Sequence, residues 1–220
     1  MQIFKQHRAF FILYFTFLLF GAYLLIVYSK SSIHVYFNQF HNEYFDYIFK
    51  YLTHLGDGFT VALIGLLFLL FKSIRSGLLI WISGILSGLI SQGMKHLLFG
   101  ETPRPFKYFT EIKPYVLHYV NGVDMNMVNS LPSGHTSSAF ALCLSIAMIY
   151  TTRKTDNSMF ILAFFIGISR IYLSQHFFED VFIGSMVGVL SAIIVYSFLY
   201  PPNHKENLKL SSPLIKGRQK

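Results

Sequence analysis

Ser169-Arg170-Ile171-Tyr172-Leu173-Ser174-Gln175-His176-Phe177-Phe178-Glu179-Asp180 runs from the end of one apolar segment, Met159 to Leu173, to the start of another, Val181 to Leu199. Both segments are apolar enough to sit in a membrane. An arginine, a histidine and a carboxylate at a bilayer boundary are costly to place there, so they are functional candidates by default. With a helix from Phe177 onward, His176 and Asp180 stand at i and i+4 on one face, where the carboxylate holds one ring nitrogen and orients the other. That arrangement prepares a nucleophile or a base.

Working outward, 53% hydrophobic residues and only 13% charged ones across 220 positions do not describe a water-soluble domain, whose charged share is nearer a quarter. Ala9 to Tyr28 is an uncharged run of twenty residues flanked by Lys5, Arg8 and Lys30, long enough to cross a hydrocarbon core. No small-x-small cleavage site follows it, so it reads as a retained first span and not as a secretory signal. Leu52 to Phe71, Gly77 to Met94, Thr136 to Tyr150, Met159 to Leu173 and Val181 to Leu199 complete six expected spans. Gly84 with Gly88, and Gly184 with Gly188, match the small-xxx-small spacing of closely approaching helices. Ser29 to His54 repeats aromatic residues at helical spacing; it suits a helix in the headgroup zone or an ordinary packing helix on the outer face. Cys143, alone in an apolar run, reads as core.

The expected fold is therefore all-α: a polytopic membrane protein of six transmembrane helices in a compact bundle over residues 1–200, with an interfacial helix and one long loop, Lys95 to Ser133. Residues 201–220 form a basic tail expected to be mobile and to meet anionic headgroups. With the N-terminus inside, the cytoplasmic connections carry a net charge of +9 and the opposite side −1, together the chain's +8. The long loop and the stretch ending at Asp180 then face the periplasm or cell exterior from a plasma (inner) membrane. The basic excess is dispersed over short connections and a tail, so no nucleic-acid partner is expected.

Three polar islands fall at span ends on that side: Lys95 with Arg104-Pro105, Pro132-Ser133-Gly134-His135, and Ser169-Arg170 with His176 and Asp180. The second opens a helix, where free backbone amides and the positive end of the dipole favour an anion, although serine and proline also serve as plain caps. Together the islands resemble the three-part signature of the type 2 phosphatidic acid phosphatase family, the lipid phosphate phosphatases: Lys-x6-Arg-Pro, Pro-Ser-Gly-His and Ser-Arg-x5-His-x3-Asp. The second and third parts are intact. The first departs, because eight residues and not six separate Lys95 from Arg104. Either Lys95 still reaches the site or Lys107 replaces it; His96 reads as structural.

The resemblance implies a phosphatase in which His176 attacks phosphorus, Asp180 fixes its tautomer, and His135 protonates the leaving oxygen and later serves the attacking water. It also implies that Lys95, Arg104, Ser133, Gly134 and Arg170 hold the phosphoryl oxygens, with no metal or cofactor. The residues agree on their own chemistry: two imidazoles, one beside a carboxylate, in a cationic pocket with two guanidinium groups make a phosphoryl-transfer site. A zinc set of His135, His176 and Asp180 is disfavoured by the surrounding cations.

The leading expectation is dephosphorylation of a lipid phosphate or diphosphate on the outer leaflet. Undecaprenyl diphosphate, phosphatidylglycerophosphate, phosphatidic acid and phosphorylated lipid A all stay open as substrates. A phosphotransferase handing the group to an alcohol is the nearest rival. A transporter or scramblase of anionic lipid fits less well, since transporter sites lie near the midplane on broken helices. A silent scaffold is disfavoured by the intact His176 and Asp180. The sequence leaves the oligomeric state open.

Overall fold

The computed structural model describes residues 2–201 and 208–215, and among these every regular element is helical. The main helices are α1 (Arg8–Val27), α2 (Lys30–Asn38), α3 (Glu43–Leu52), α4 (Gly58–Phe71), α5 (Ile74–Gly93), α6 (Gly134–Tyr150), α7 (Arg153–Tyr172) and α8 (Phe178–Leu199). Hydroxyl and amide side chains set several starts: Ser29 accepts from the Ser32 amide, Asn42 from Phe45, Ser73 from Ser76 and Thr152 from Thr155.

The bundle is organised around α6, most of whose side chains are buried among α5, α7 and α8. The last helix lies on it with almost no spacer. A Cβ on Gly184 would come within 2.6 Å of the Ser133 carbonyl oxygen, and one on Gly188 within 2.3 Å of that of Ser137, so only glycine permits this approach. The other glycine pair behaves differently, since Gly84 backs onto Val61 while Gly88 faces open space. α1 covers α7 and α8 with Phe10, Phe11, Tyr14 and Phe17; its other face, including Leu19, Phe20 and Ile26, is exposed as lipid-facing residues are.

The six expected spans are not all matched by length and apolarity. Among the described residues three helices qualify, Arg8–Val27, Ile74–Phe99 and Phe178–Leu199, with Glu43–Gly56 and Gly58–Phe71 a fourth if their bent pair counts as one. α6 has 17 residues, about 26 Å at 1.5 Å per residue. α7 has twenty but carries Arg153, Lys154, Asp156 and Arg170 at its ends.

Two further expectations need correction. Ser29 to His54 is two helices that turn at Phe40–Asn42, and the helical path then bends by 59° at Asp57. In the tail, residues 208–215 dock on the α4–α5 hairpin: Ile74 N–H donates to the Ser212 carbonyl, and the amides of Leu214 and Ile215 donate to Leu69 and Leu70. Lys205, Lys216, Arg218 and Lys220 lie outside the described residues.

Candidate active site

The start of α6 is built from Pro132 to Thr136. Ser133 caps the helix, its hydroxyl accepting from the Thr136 amide at 3.4 Å and the Thr136 hydroxyl at 2.9 Å. Its own amide donates to the Asp180 carbonyl at 2.9 Å, which ties the second polar island to the third. At Gly134 no atom lies within 4 Å of the position a Cβ would take, so the first-turn backbone faces open space. A helix start with an open side is suited to an anion.

The turn between α7 and α8 is drawn tight by the Arg170 carbonyl, which accepts from the amides of both Gln175 and His176, with Ser174 at φ +53°. The expected i, i+4 pair of His176 and Asp180 is present, but not along a helical face. α8 begins at Phe178, and His176 precedes its cap. Asp180 instead occupies the third helical position and turns back: its Oδ2 accepts from the Phe177 amide at 2.8 Å and from the Ser130 hydroxyl at 2.5 Å. His176 Nδ1 stands 3.4 Å from the same oxygen. The carboxylate is thus anchored first by the backbone and Ser130, and the histidine is set against it. Glu179 is directed to Lys30 instead, at 3.0 Å.

Three cations converge on this turn. The Arg104 guanidinium donates to the carbonyls of Val128, Asn129 and Gln175, clamping the long loop to the His176 turn. Arg170 is buried and donates to Thr53 Oγ1 at 2.6 Å. Lys95 is buried as well, and a π-helical turn over Met94–Phe99 followed by Gly100 at φ +56° takes up the long connection to Arg104. Lys107 lies half-buried on the short helix after Arg104. Burial, and then the charges of Arg104, Arg170, Lys95 and His135, hold the His176 imidazole well below the ordinary histidine pKa, so it is neutral at pH 7.

All eight residues expected from sequence therefore lie on this end of the bundle. Three partners were not anticipated. Asp57 Oδ1 meets His135 Nε2 at 2.5 Å and its Oδ2 meets His54 Nδ1 at 2.9 Å; Thr53 supports Arg170; Ser130 supports Asp180. Asp57 carried a legible signal, an acid at a span end. Thr53 and Ser130 carried none, because their partners are 117 and 50 residues away.

The chain is similar to several known proteins. The PAP2 superfamily matches residues 76–203. The undecaprenyl-diphosphatase BcrC of Bacillus subtilis is 31% identical over 73% of this chain and 75% of its own length. The lipid A 1-phosphatase of Porphyromonas gingivalis and the bacitracin transport permease protein BcrC of Bacillus licheniformis are each 33% identical, over 49% and 42% of this chain. The chain spans only 23% and 41% of those two relatives. Among solved structures, Aquifex aeolicus LpxE superposes with a TM-score of 0.65 over 76% of this chain and 93% of its own, at 22% identity. The PAP2-type phosphatidylglycerolphosphate phosphatase of Bacillus subtilis gives 0.55 over 86% and 95%, also at 22%, and these two likenesses establish the fold. With the match taking in Lys95, Arg104, the α6 start and the His176 turn, and with a relative aligned over most of both sequences, the chain belongs to the PAP2 superfamily.

Proposed function

We propose that this protein is an integral-membrane phosphatase that hydrolyses a lipid phosphate or diphosphate at the outer leaflet through a phosphohistidine. The observation that carries the reading is the neutral, buried His176 set against Asp180 and surrounded by Lys95, Arg104 and Arg170. Asp180 accepts from Nδ1–H, which leaves the Nε2 lone pair to attack phosphorus. The three cations, the Ser133 hydroxyl and the Gly134 amide receive the phosphoryl oxygens as charge redistributes. His135 gives a proton to the leaving oxygen, and Asp57 stabilises the imidazolium before that transfer. In the second half-reaction His135 takes a proton from the water that cleaves the P–N bond, and His176 returns to its neutral form.

The bundle spans the membrane six times in this reading, with α6 as a short interior span sheltered by its neighbours, α7 as a span charged at its ends, and residues 1–200 as the phosphatase unit. The charge split of +9 against −1 supports a site on the extracytoplasmic face. Of the four lipid candidates, a polyprenyl diphosphate comes first, because the undecaprenyl-diphosphatase is the relative aligned over most of both chains. The test is release of inorganic phosphate by the purified protein from a panel of these four lipids without an acceptor. Release from at least one, absent in His176→Ala, is expected; phosphate transfer to an added alcohol with no release into water would make the protein a transferase.

A further inference from the structure

A second cluster of ionisable groups lies outside the reaction centre, where the α2–α3 corner meets the long loop. His41 Nδ1 is 3.2 Å from Asp46 Oδ1, and His118 Nε2 is 2.9 Å from Asp46 Oδ2. One ligand atom from each of the three residues fits within a mutual separation of 4.8 Å. Donors bound to one tetrahedral ion at about 2.0–2.1 Å stand about 3.3 Å apart, so small side-chain adjustments bring these three onto a common centre.

The surroundings hold the donors in place. Asn38 bonds both the amide and the carbonyl of His118, each at 2.9 Å, which fixes that loop residue against α2. The Tyr172 hydroxyl donates to Asp46 Oδ1 at 2.5 Å, and its ring stacks on His41 at 3.9 Å between centroids. Such outer partners orient ligands and tune their basicity. His118 is half exposed, so an ion has an entry path and a fourth position open to water.

We propose that His41, Asp46 and His118 form a binding site for a divalent transition-metal ion of the zinc class. Two imidazoles and a carboxylate select a borderline ion over calcium or magnesium, which take mostly oxygen donors. The ion replaces the protons now shared between Asp46 and the two rings, and it pins the α2–α3 corner and the loop to the end of α7 that carries Arg170. None of the three ligands belongs to the proposed reaction centre. Its role is to hold the loop, and turnover without it remains chemically complete.

The test uses the full chain in detergent, stripped with EDTA and titrated with Zn2+ alone or with Co2+, whose d–d absorption reports tetrahedral coordination. One ion per chain is expected to bind and to raise the unfolding temperature. Affinity should fall about 100-fold or more in His118→Ala and in Asp46→Asn, and persist in His96→Ala and His135→Ala. His118→Cys, which keeps a ligand at that position, should retain Zn2+ binding and separates ligand loss from misfolding. No binding at micromolar Zn2+, or binding that His118→Ala and Asp46→Asn leave intact, overturns the proposal.

Discussion

His135 Nε2 lies 2.5 Å from Asp57 Oδ1, so a residue of the α6 start is held by an acid from the bend between α3 and α4. In the proposed reaction this acid stabilises the charged form of a proton donor. Asp57→Asn keeps the size and removes the charge, and turnover of an alkyl lipid phosphate should fall about 10²- to 10⁴-fold. The loss should be much smaller with nitrophenyl phosphate, whose leaving oxygen needs little protonation. Equal losses for both substrates would make Asp57 a purely structural partner.

The covalent step is open to direct capture. A phosphoramidate is hydrolysed by acid and survives alkali, so brief mixing with a labelled lipid phosphate and an alkaline quench should leave label on the wild-type chain. His176→Ala should carry none. Label on Ser133 would move the nucleophile to the α6 cap.

Lys95 and Lys107 make competing predictions. Because Lys95 is buried and its charge acts on His176, Lys95→Ala should lower turnover about 10²- to 10³-fold, while Lys107→Ala should change it little. The opposite pattern would mean that the longer spacing has exchanged one lysine for the other.

The pH dependence follows from the lowered pKa of His176, caused first by burial and then by the neighbouring cations. Protonation removes the attacking lone pair, and the folded protein resists it. The acid limb of kcat/KM should therefore fall well below pH 6.5. Stability falls in the same direction but begins to do so at higher pH. Unfolding frees His176 to bind a proton at its ordinary pKa of about 6.5, so this group destabilises the fold as pH falls from there toward its native value. A thermal melt series from pH 7.5 to 5 checks the sign.

Topology rests on charge and can be read by labelling. Cys143 is buried and supplies a quiet background. Thr110→Cys should react with an impermeant thiol reagent in intact cells, and Ser212→Cys should not. The reverse would place the reaction centre in the cytoplasm.

The parts of the site that were legible in sequence are those whose chemistry is local. Pro132 to His135 and Ser169 to Asp180 each bring their groups together within a dozen residues, so their spacing, matched to the family signature, pointed to them. The geometry inside the second stretch was less legible, because Asp180 satisfies the exposed amide of Phe177 at the helix start before it meets His176. Asp57, Thr53 and Ser130 reach partners across the bundle, and no periodicity encodes those meetings. The span count suffered for a related reason. Helices surrounded by other helices, as α6 is, can be short and carry buried serines and threonines, which lowers their resemblance to a lipid-facing span.

The contact of α8 on α6 has a consequence for how such a protein diversifies. Gly184 and Gly188 bring one backbone against the other, and the Ser133 amide bonds the Asp180 carbonyl, so the spacing between the anion-facing helix start and the His176 turn involves no adjustable side chain. That half of the molecule behaves as a fixed reaction module. The long loop is tied to that module at Arg104 and Ser130, so variation in the lipid accepted falls to the loop's exposed outer part and the α2–α3 corner. Exchange of these outer segments between family members is accordingly expected to change the lipid accepted and to leave the reaction itself in place.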